Sequence, residues 1–317
     1  MIAVQGVTKR YGDLKAVSDL NFNIETGEIV GLLGQNGAGK TTCMKMITGY
    51  LEPSAGTVTI DGLDVINQRK RVQSLVGYLP ENAPLYPEMR VEEYLKFIAE
   101  LRGLRGQTGK EAIDEALAAT GLTARRKQEI ATLSKGYKQR VGLAQAIIHK
   151  PSILILDEPT NGLDPVQIQE IRTLIKRLAK DTTILLSTHI LSEIEAVCDR
   201  VVILIDGELA NDSTLEDLLS RSSLFLKLKE ADHVESQLTN DFEDIDSVTY
   251  LSQDIDGFKL YQLQVRDGVN PSSLVSTIAD QCLKSSWILG GVSVETQSLE
   301  SAFRDLMSAH VARALKS

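Results

Sequence analysis

The sequence predicts an α/β fold: a mainly parallel core sheet with an antiparallel β subdomain and a helical subdomain, followed by a small α+β domain. Three observations carry this. Short, almost wholly apolar segments, GEIVGLLG, SILILDE, TTILLST and RVVILI, alternate with helical stretches such as KTTCMKMITGYL, QIQEIRTLIKRLAK and ILSEIEAVC. Strands buried on both faces read as continuous apolar runs, and their alternation with helices marks a parallel sheet. Earlier segments, IAVQGVTKRYG, VSDLNFNIETGE and GTVTIDGLDV, alternate polar and apolar residues and end in Gly or Asp turns, as antiparallel strands do. After about Leu219 the pattern changes to LFLKLK, EADHVESQL, SVTYLS, FKLYQLQV, a helix from Pro271 to Cys282, and SWILGGVSVE. That β-α-β-β-α-β order is the split βαβ, ferredoxin-like arrangement, and a last amphipathic helix follows through LESAFRDLMSAHVARAL.

The helical insertion opens with VEEYLKFIAELRGL, residues 91–104, where Val91, Tyr94, Leu95, Ile98 and Leu101 recur on one helical face, and it extends to His149. At 317 residues the chain exceeds a single core. Two domains are therefore expected, 1–220 and 221–317. Hydrophobic residues at 43% and charged residues at 24% are ordinary for a globular protein, so a disordered chain is excluded. The formal net charge of -9 repels polyanions and argues against a nucleic-acid partner. The densest apolar runs, Ile153 to Leu156 and Val201 to Ile205, are strand-sized, far short of the roughly 18 residues that span a bilayer. The N-terminus, MIAVQGVTKRYGD, lacks an apolar signal core, so a cytoplasmic location is expected. Cys43, Cys198 and Cys282 are scattered and fit neither a disulfide framework nor a metal site; reduced packing cysteines are expected. Cys43 stands just inside a helix start, where thiolate reactivity is possible.

Gly34 to Thr41, GQNGAGKT, fits G-x-x-x-x-G-K-[ST] between the strand EIVGLL and the helix TTCMKMITGYL, the context that separates a phosphate loop from an ordinary glycine turn. The cradle comprises Gly34, Asn36, Gly37, Ala38, Gly39, Lys40, Thr41 and Thr42. Its backbone N–H groups close around phosphate oxygens, Lys40 reaches the β and γ phosphates, and Thr41 offers a hydroxyl to Mg²⁺. ILILDE is an apolar strand ending in two carboxylates. Asp157 suits the Mg²⁺ shell and Glu158 a general base for an attacking water, against the plainer reading that both cap a strand. Thr188-His189 ends another core strand and reaches the same sheet edge as the phosphate loop. TLSKGYKQR, residues 132–140, adds a second helix start suited to an anion.

In this order, GQNGAGKTT, LSKGYKQR, ILILDEPTNGLD and STH closely resemble the nucleotide-binding subunits of ABC transporters over roughly residues 1–220. The specificity rests on Leu133-Ser134-Lys135-Gly136, which other phosphate-loop ATPases lack. The resemblance implies an ABC-type ATPase with ATP and Mg²⁺ as cofactors, working as a head-to-tail homodimer on the inner face of the cell membrane. It further implies that separate membrane permease subunits carry out transport, in the direction of export. GYLPEN and LSKGYKQR are similar to subunits of ABC-2-type exporters of the gliding-motility-associated and copper-enzyme-maturation branches. By the same resemblance Ser134 and the N–H of Gly136 bind the γ phosphate of the partner's ATP, Tyr11 stacks on adenine, Asp164 communicates between the two sites, and His189 contacts the γ phosphate.

Two departures stand out. Glu81, in GYLPEN, occupies the place of a usual glutamine and still suits Mg²⁺. Lys135 and Tyr137 replace a glycine and a glutamine of the signature; the lysine either favours phosphate or is a solvated side chain. In NAPLYPEMRVEEYL, Leu85, Tyr86 and Met89 are expected to be exposed. The resemblance turns them toward a membrane subunit, and a loop folded onto its own helix is the alternative. A soluble ABC-type mechanical switch acting on a ribosome or DNA is the competing function, disfavoured by the single phosphate loop, the lack of a long coiled coil and the acidity.

Overall fold

The computed structural model describes residues 1–219, 222–229, 233–266, 269, 271–296 and 298–314. The expected boundary between residues 220 and 221 lies outside the described residues, as do the start of EADHVESQL and the last residue of the final helix. The chain divides into two compact units, Met1–Leu215 with Ala309–Ser317, and Glu216–Ser308.

Along the first unit run β1 (Ile2–Tyr11), β2 (Leu14–Ile24), β3 (Ile29–Leu33), α1 (Lys40–Ile47), β4 (Ala55–Ile60), β5 (Leu63–Asp64), α2 (Arg69–Leu75) and β6 (Val76–Leu79). Then come α3 (Val91–Leu101), α4 (Gly106–Thr120), α5 (Lys135–Ile147), β7 (Ile153–Asp157), α6 (Pro165–Leu178), β8 (Thr183–Thr188), α7 (Leu191–Val197), β9 (Arg200–Ile205) and β10 (Glu208–Thr214). The core sheet has the order β10-β9-β3-β8-β7-β6. It is parallel except for the antiparallel edge strand β10. Every residue of β3, β7 and β8 is buried, as strands covered on both faces require. The alternating segments form an antiparallel sheet, β2-β1-β4-β5. Its apolar face, with Val4, Leu20, Phe22 and Ile60, closes one core with Met44 and Ile47 of α1 and with Leu32 and Ile155 of the parallel sheet.

Strands β3, β8 and β7 are consecutive in the sheet, with Leu33 opposite Thr188 and Asp157 opposite Ser187. Three C-terminal ends therefore open at one place, where ligands of open α/β sheets bind.

The helical subdomain packs α3, α4 and α5 around Val91, Tyr94, Leu95, Ile113, Leu117 and Val141. The face expected of α3 needs one correction. Leu101 is 68% exposed, and Ala99 takes the inner position. Ten residues after Val91 a helix has turned about 80° away from the original face, and Leu101 is also its last residue. Leu85 and Met89 are half-buried against this cluster, so the loop partly folds onto its own subdomain, while Tyr86 stays 44% exposed with its ring edge-on to Tyr94 and Phe97. Cys43 is 1% exposed and burial pushes its thiol pKa well up, which removes the possibility of a reactive thiolate.

His149, in the turn after α5, has Nε2 3.1 Å from the Val76 carbonyl, which fixes Nε2–H as the donor, while Nδ1 is buried with no partner. Burial, and then the nearby Arg102 charge, lower its pKa to about 4 from 6.5. Between those values the unfolded chain binds the proton and the folded chain does not. The contribution of His149 to stability is therefore expected to be constant above pH 6.5 and to be lost as pH drops toward 4. Denaturant titrations of His149→Gln should lose that component; an unchanged pH slope would reject the assignment.

Helix α8 (Leu215–Leu219) follows β10. The second unit comprises β11 (Ser222–Lys229), α9 (Val234–Asp241), β12 (Ile245–Gln253), β13 (Lys259–Val265), α10 (Pro271–Lys284) and β14 (Ile288–Thr296), followed by α11 (Leu299–Ala314). Its sheet order is β12-β13-β11-β14, with every pair antiparallel, which is the split βαβ topology. Leu224, Leu226 and Leu228, alternating on β11, share a core with Leu263, Ile278, Cys282 and Trp287. Cys282 and Trp287 are thus packing residues. Among the described residues no helix is long and apolar enough to cross a membrane.

Candidate active site

The loop after β3 turns into α1 through glycines that have little choice. Gly37 and Gly39 have φ of 88° and 93°, a region that side chains rarely adopt. A Cβ on Gly34 would stand 2.6 Å from the Leu204 carbonyl oxygen, and one on Gly39 would stand 2.7 Å from that of Ala16. Helix α1 starts with no side-chain cap and no acidic residue in its first turn. Its first N–H groups, with the positive end of the helix dipole, therefore face the loop's interior as anion donors.

Lys40, 6% exposed, bends back over this loop. Its ammonium donates to the carbonyls of Gly34 at 2.7 Å and Gln35 at 3.2 Å, and lies 3.6 Å from Glu158 Oε1. Asp157, 1% exposed at the end of β7, accepts from Ser187 Oγ at 2.6 Å and from Thr41 Oγ1 at 3.3 Å. Glu158 is 7% exposed and has φ of 48°, a left-handed conformation that costs a non-glycine residue about 1–3 kcal/mol. Its N–H is held by Ser187, 3.2 Å from the carbonyl and 3.0 Å from Oγ. That conformation turns the carboxylate inward, with Oε2 2.9 Å from His189 Nδ1. Such strain, held by the neighbouring strand, is characteristic of functional positions.

A cavity of about 430 Å³ collects Lys40, Thr41, Glu158 and His189, while Asp157, bonded to Thr41, is not part of its lining. Asn36, Gly37, Gly39, Lys40, Thr41 and Thr42 line it from the loop side, and Glu158, Glu81 and His189 from the opposite side. Gly34 and Ala38 shape the loop from beneath, Ala38 being 5% exposed. Glu81 is exposed, and its Oε1 accepts from Asn161 Nδ2 at 3.0 Å. Tyr11 is not part of this lining. It is 49% exposed, with the Lys9 ammonium 5.5 Å from its ring centre.

Ser134, Gly136 and Asp164 also stand apart from the cavity lining. Ser134 N-caps α5, accepting from the Tyr137 N–H at 3.4 Å, and Asp164 N-caps α6, accepting from that of Gln167 at 2.9 Å. The two helix starts are packed together. A Cβ on Gly136 would meet Gln167 Oε1 at 2.6 Å, and one on Gly162 would collide with the Lys135 ammonium. Lys135 thus lies across the loop that precedes α6. Tyr137 has the guanidinium groups of Arg125 and Arg140 5.0 and 6.0 Å from its ring centre and is a packing residue of the helical subdomain.

The structure adds residues that sequence patterns do not mark. Ala16 and Gln35 line the cavity, Ser187 holds the Asp157 carboxylate and the Glu158 N–H, and Asn161 bonds Glu81. Ser187 is visible only through strand register, because its role comes from standing opposite Asp157.

A phosphate loop feeding a helix start, a strand-end Asp-Glu pair and a strand-end histidine on adjacent parallel strands define a nucleoside-triphosphate-hydrolysing cassette. The chain belongs to the ABC transporter family as an ATP-binding subunit and is an ATPase: residues 17–161 match that family. It is 40% identical over 234 residues to the bacitracin transport ATP-binding protein BcrA of Bacillus licheniformis, covering 73% of this chain and 76% of that protein. A solved ATP-binding subunit of an ABC transporter is 34% identical, with a TM-score of 0.63 over 69% of this chain and 92% of its own. The dimeric, post-hydrolysis state of the cassette MJ0796, bound to ADP and Pi, is 26% identical with a TM-score of 0.62, over 68% of this chain and 99% of its own.

Proposed function

We propose that two copies of this chain pack head to tail and hydrolyse ATP at their shared seams to drive export through separate membrane subunits. One observation carries the reading. The two anion-suited helix starts of a single chain do not share a cavity: Lys40, Glu158 and His189 line one, and Ser134 and Gly136 stand outside it. A second copy can supply Ser134 and Gly136 to the γ phosphate held by Lys40, and Asp164, beside that segment, then lies at the seam. The half-exposed Tyr11 is available to stack on adenine. The name of the relative BcrA, which assigns it to bacitracin transport, favours a transport role, and the exposed Tyr86 is offered to a membrane subunit at the inner face.

In this reading Glu158 accepts a proton from the water as it attacks the γ phosphorus, the bond to the β–γ bridging oxygen breaks, and ADP and phosphate leave. His189, held on Glu158, orients the carboxylate and the transferring phosphoryl group, and Lys40 balances its charge. The hydroxyl of Thr41 and the carboxylate of Asp157 are hard oxygen donors 3.3 Å apart, which suits Mg²⁺, with Glu81 at the mouth as a further oxygen. The ion would neutralise phosphate charge there.

Mixing two inactive variants tests the shared site. Lys40→Ala spoils the phosphate loop, and Ser134→Arg spoils the segment given to the partner. A mixed dimer retains one seam with native Lys40 and native Ser134, so phosphate release is expected to return on mixing. Two variants that stay inactive together, although folded and able to pair, would reject the head-to-tail site.

A further inference from the structure

Glu193 belongs to none of the motifs, yet its carboxylate is 3% exposed in the first turn of α7. Among the described residues no Lys, Arg or His forms an ion pair with it. Two buried hydroxyls serve it instead. Thr160 Oγ1 donates to Oε1, and Thr188 Oγ1 donates to Oε2 at 2.7 Å. Thr160 follows Glu158 by two residues, and Thr188 precedes His189 by one.

We infer that Glu193 is a positioning residue for ATP hydrolysis: it ties the segment leaving β7 to the end of β8 and so sets the Glu158–His189 contact. The inference rests on Glu158 acting as the base. With its proton directed at Glu193, the Thr188 hydroxyl keeps a lone pair for the Ile190 N–H at 3.0 Å, which fixes the turn that carries His189. On the other side Glu158 is pinned through its N–H to Ser187. The base is thus held at both ends, by Ser187 before it and by the Thr160–Glu193 link after it. Helix α7 is itself seated on β3, since Ile194 and Cys198 fill the space above Gly31. The carboxylate therefore stands in a frame shared with the strand that enters the phosphate loop. A buried carboxylate with two charge-assisted hydrogen bonds is a stiff link, and displacements of about 1 Å in an active site can cost up to roughly 10²-fold in rate.

Glu193→Gln preserves shape but removes the charge that strengthens both ties and turns one acceptor into an N–H donor, so one hydroxyl must reverse its direction and both links weaken. Thr160→Val removes the tie from the other end. Single-turnover hydrolysis is expected to fall about tenfold in each, with affinity for a non-hydrolysable ATP analogue changed by less than about twofold. The double variant should be no worse than either single one, because both break the same link. Should Glu193→Gln fold poorly, Thr160→Val carries the same test. A lowered melting temperature with an unchanged hydrolysis rate would make Glu193 a purely structural buried acid and overturn the proposal. Glu158→Gln in the same assay separates the two failures: if it retains hydrolysis, the base assignment fails on its own. The ring-nitrogen NMR signals of His189 then decide the positioning role, which stands if they shift in Glu193→Gln and falls if they do not.

Discussion

Glu158→Gln is expected to lower ATP turnover by about 10²- to 10⁴-fold, the usual contribution of a positioned general base, while leaving ATP binding in place. The amide keeps the shape of the side chain, so the loop, Thr41 and Asp157 are undisturbed. It cannot take the proton of the attacking water. It also ends the contact of Lys40 with a charged carboxylate, at 3.6 Å, which frees the ammonium for phosphate. ATP should therefore hold the variant as a dimer. Phosphate release and light scattering with and without ATP measure the two effects, and a variant that turns over at the native rate would remove Glu158 from the base role. Purified from detergent-solubilised membranes with ATP and Mg²⁺, the trapped dimer is expected to bring down a multi-spanning protein. Recovery of ribosomal or other soluble partners alone would favour the mechanical-switch reading.

Lys40→Ala has the second large effect, and its two consequences have separate causes. Affinity for ATP is expected to fall by roughly 10²-fold or more, since a nearly buried ammonium at the centre of the loop is lost. Stability should also fall, by about 1–3 kcal/mol, because the buried Glu158 carboxylate loses its lysine and keeps only His189. Adding Glu158→Gln removes the stranded charge, so the double variant should regain most of the stability and none of the affinity. Denaturant titration and nucleotide titration follow the two quantities independently. A double variant no more stable than Lys40→Ala would show that the pair carries no such burden.

Much of the chemistry was legible along the chain because its residues are contiguous. The phosphate loop needs glycines at fixed offsets before Lys40 and Thr41, and a strand and a helix on either side, all within some twenty residues. ILILDE and STH announce themselves by carboxylates and an imidazole at the ends of apolar runs. The face of α3 was legible only in part. Periodicity placed Val91, Tyr94 and Leu95 correctly, but Leu101, the last residue of the helix, is turned off the buried face.

The sequence by itself determined the sheet type, the order of elements, the phosphate loop, the strand-end carboxylates and the family, since each is written in short-range spacing that local conformation obeys. The tertiary structure decided the rest. Only strand register puts Ser187 opposite Asp157, only the seating of α7 on β3 brings Glu193 between Thr160 and Thr188, and only the packing of α5 beside α6 lays Lys135 across Gly162. These contacts join residues of separate elements. Their positions follow from how strands pair and helices pack, which no local pattern of residues records.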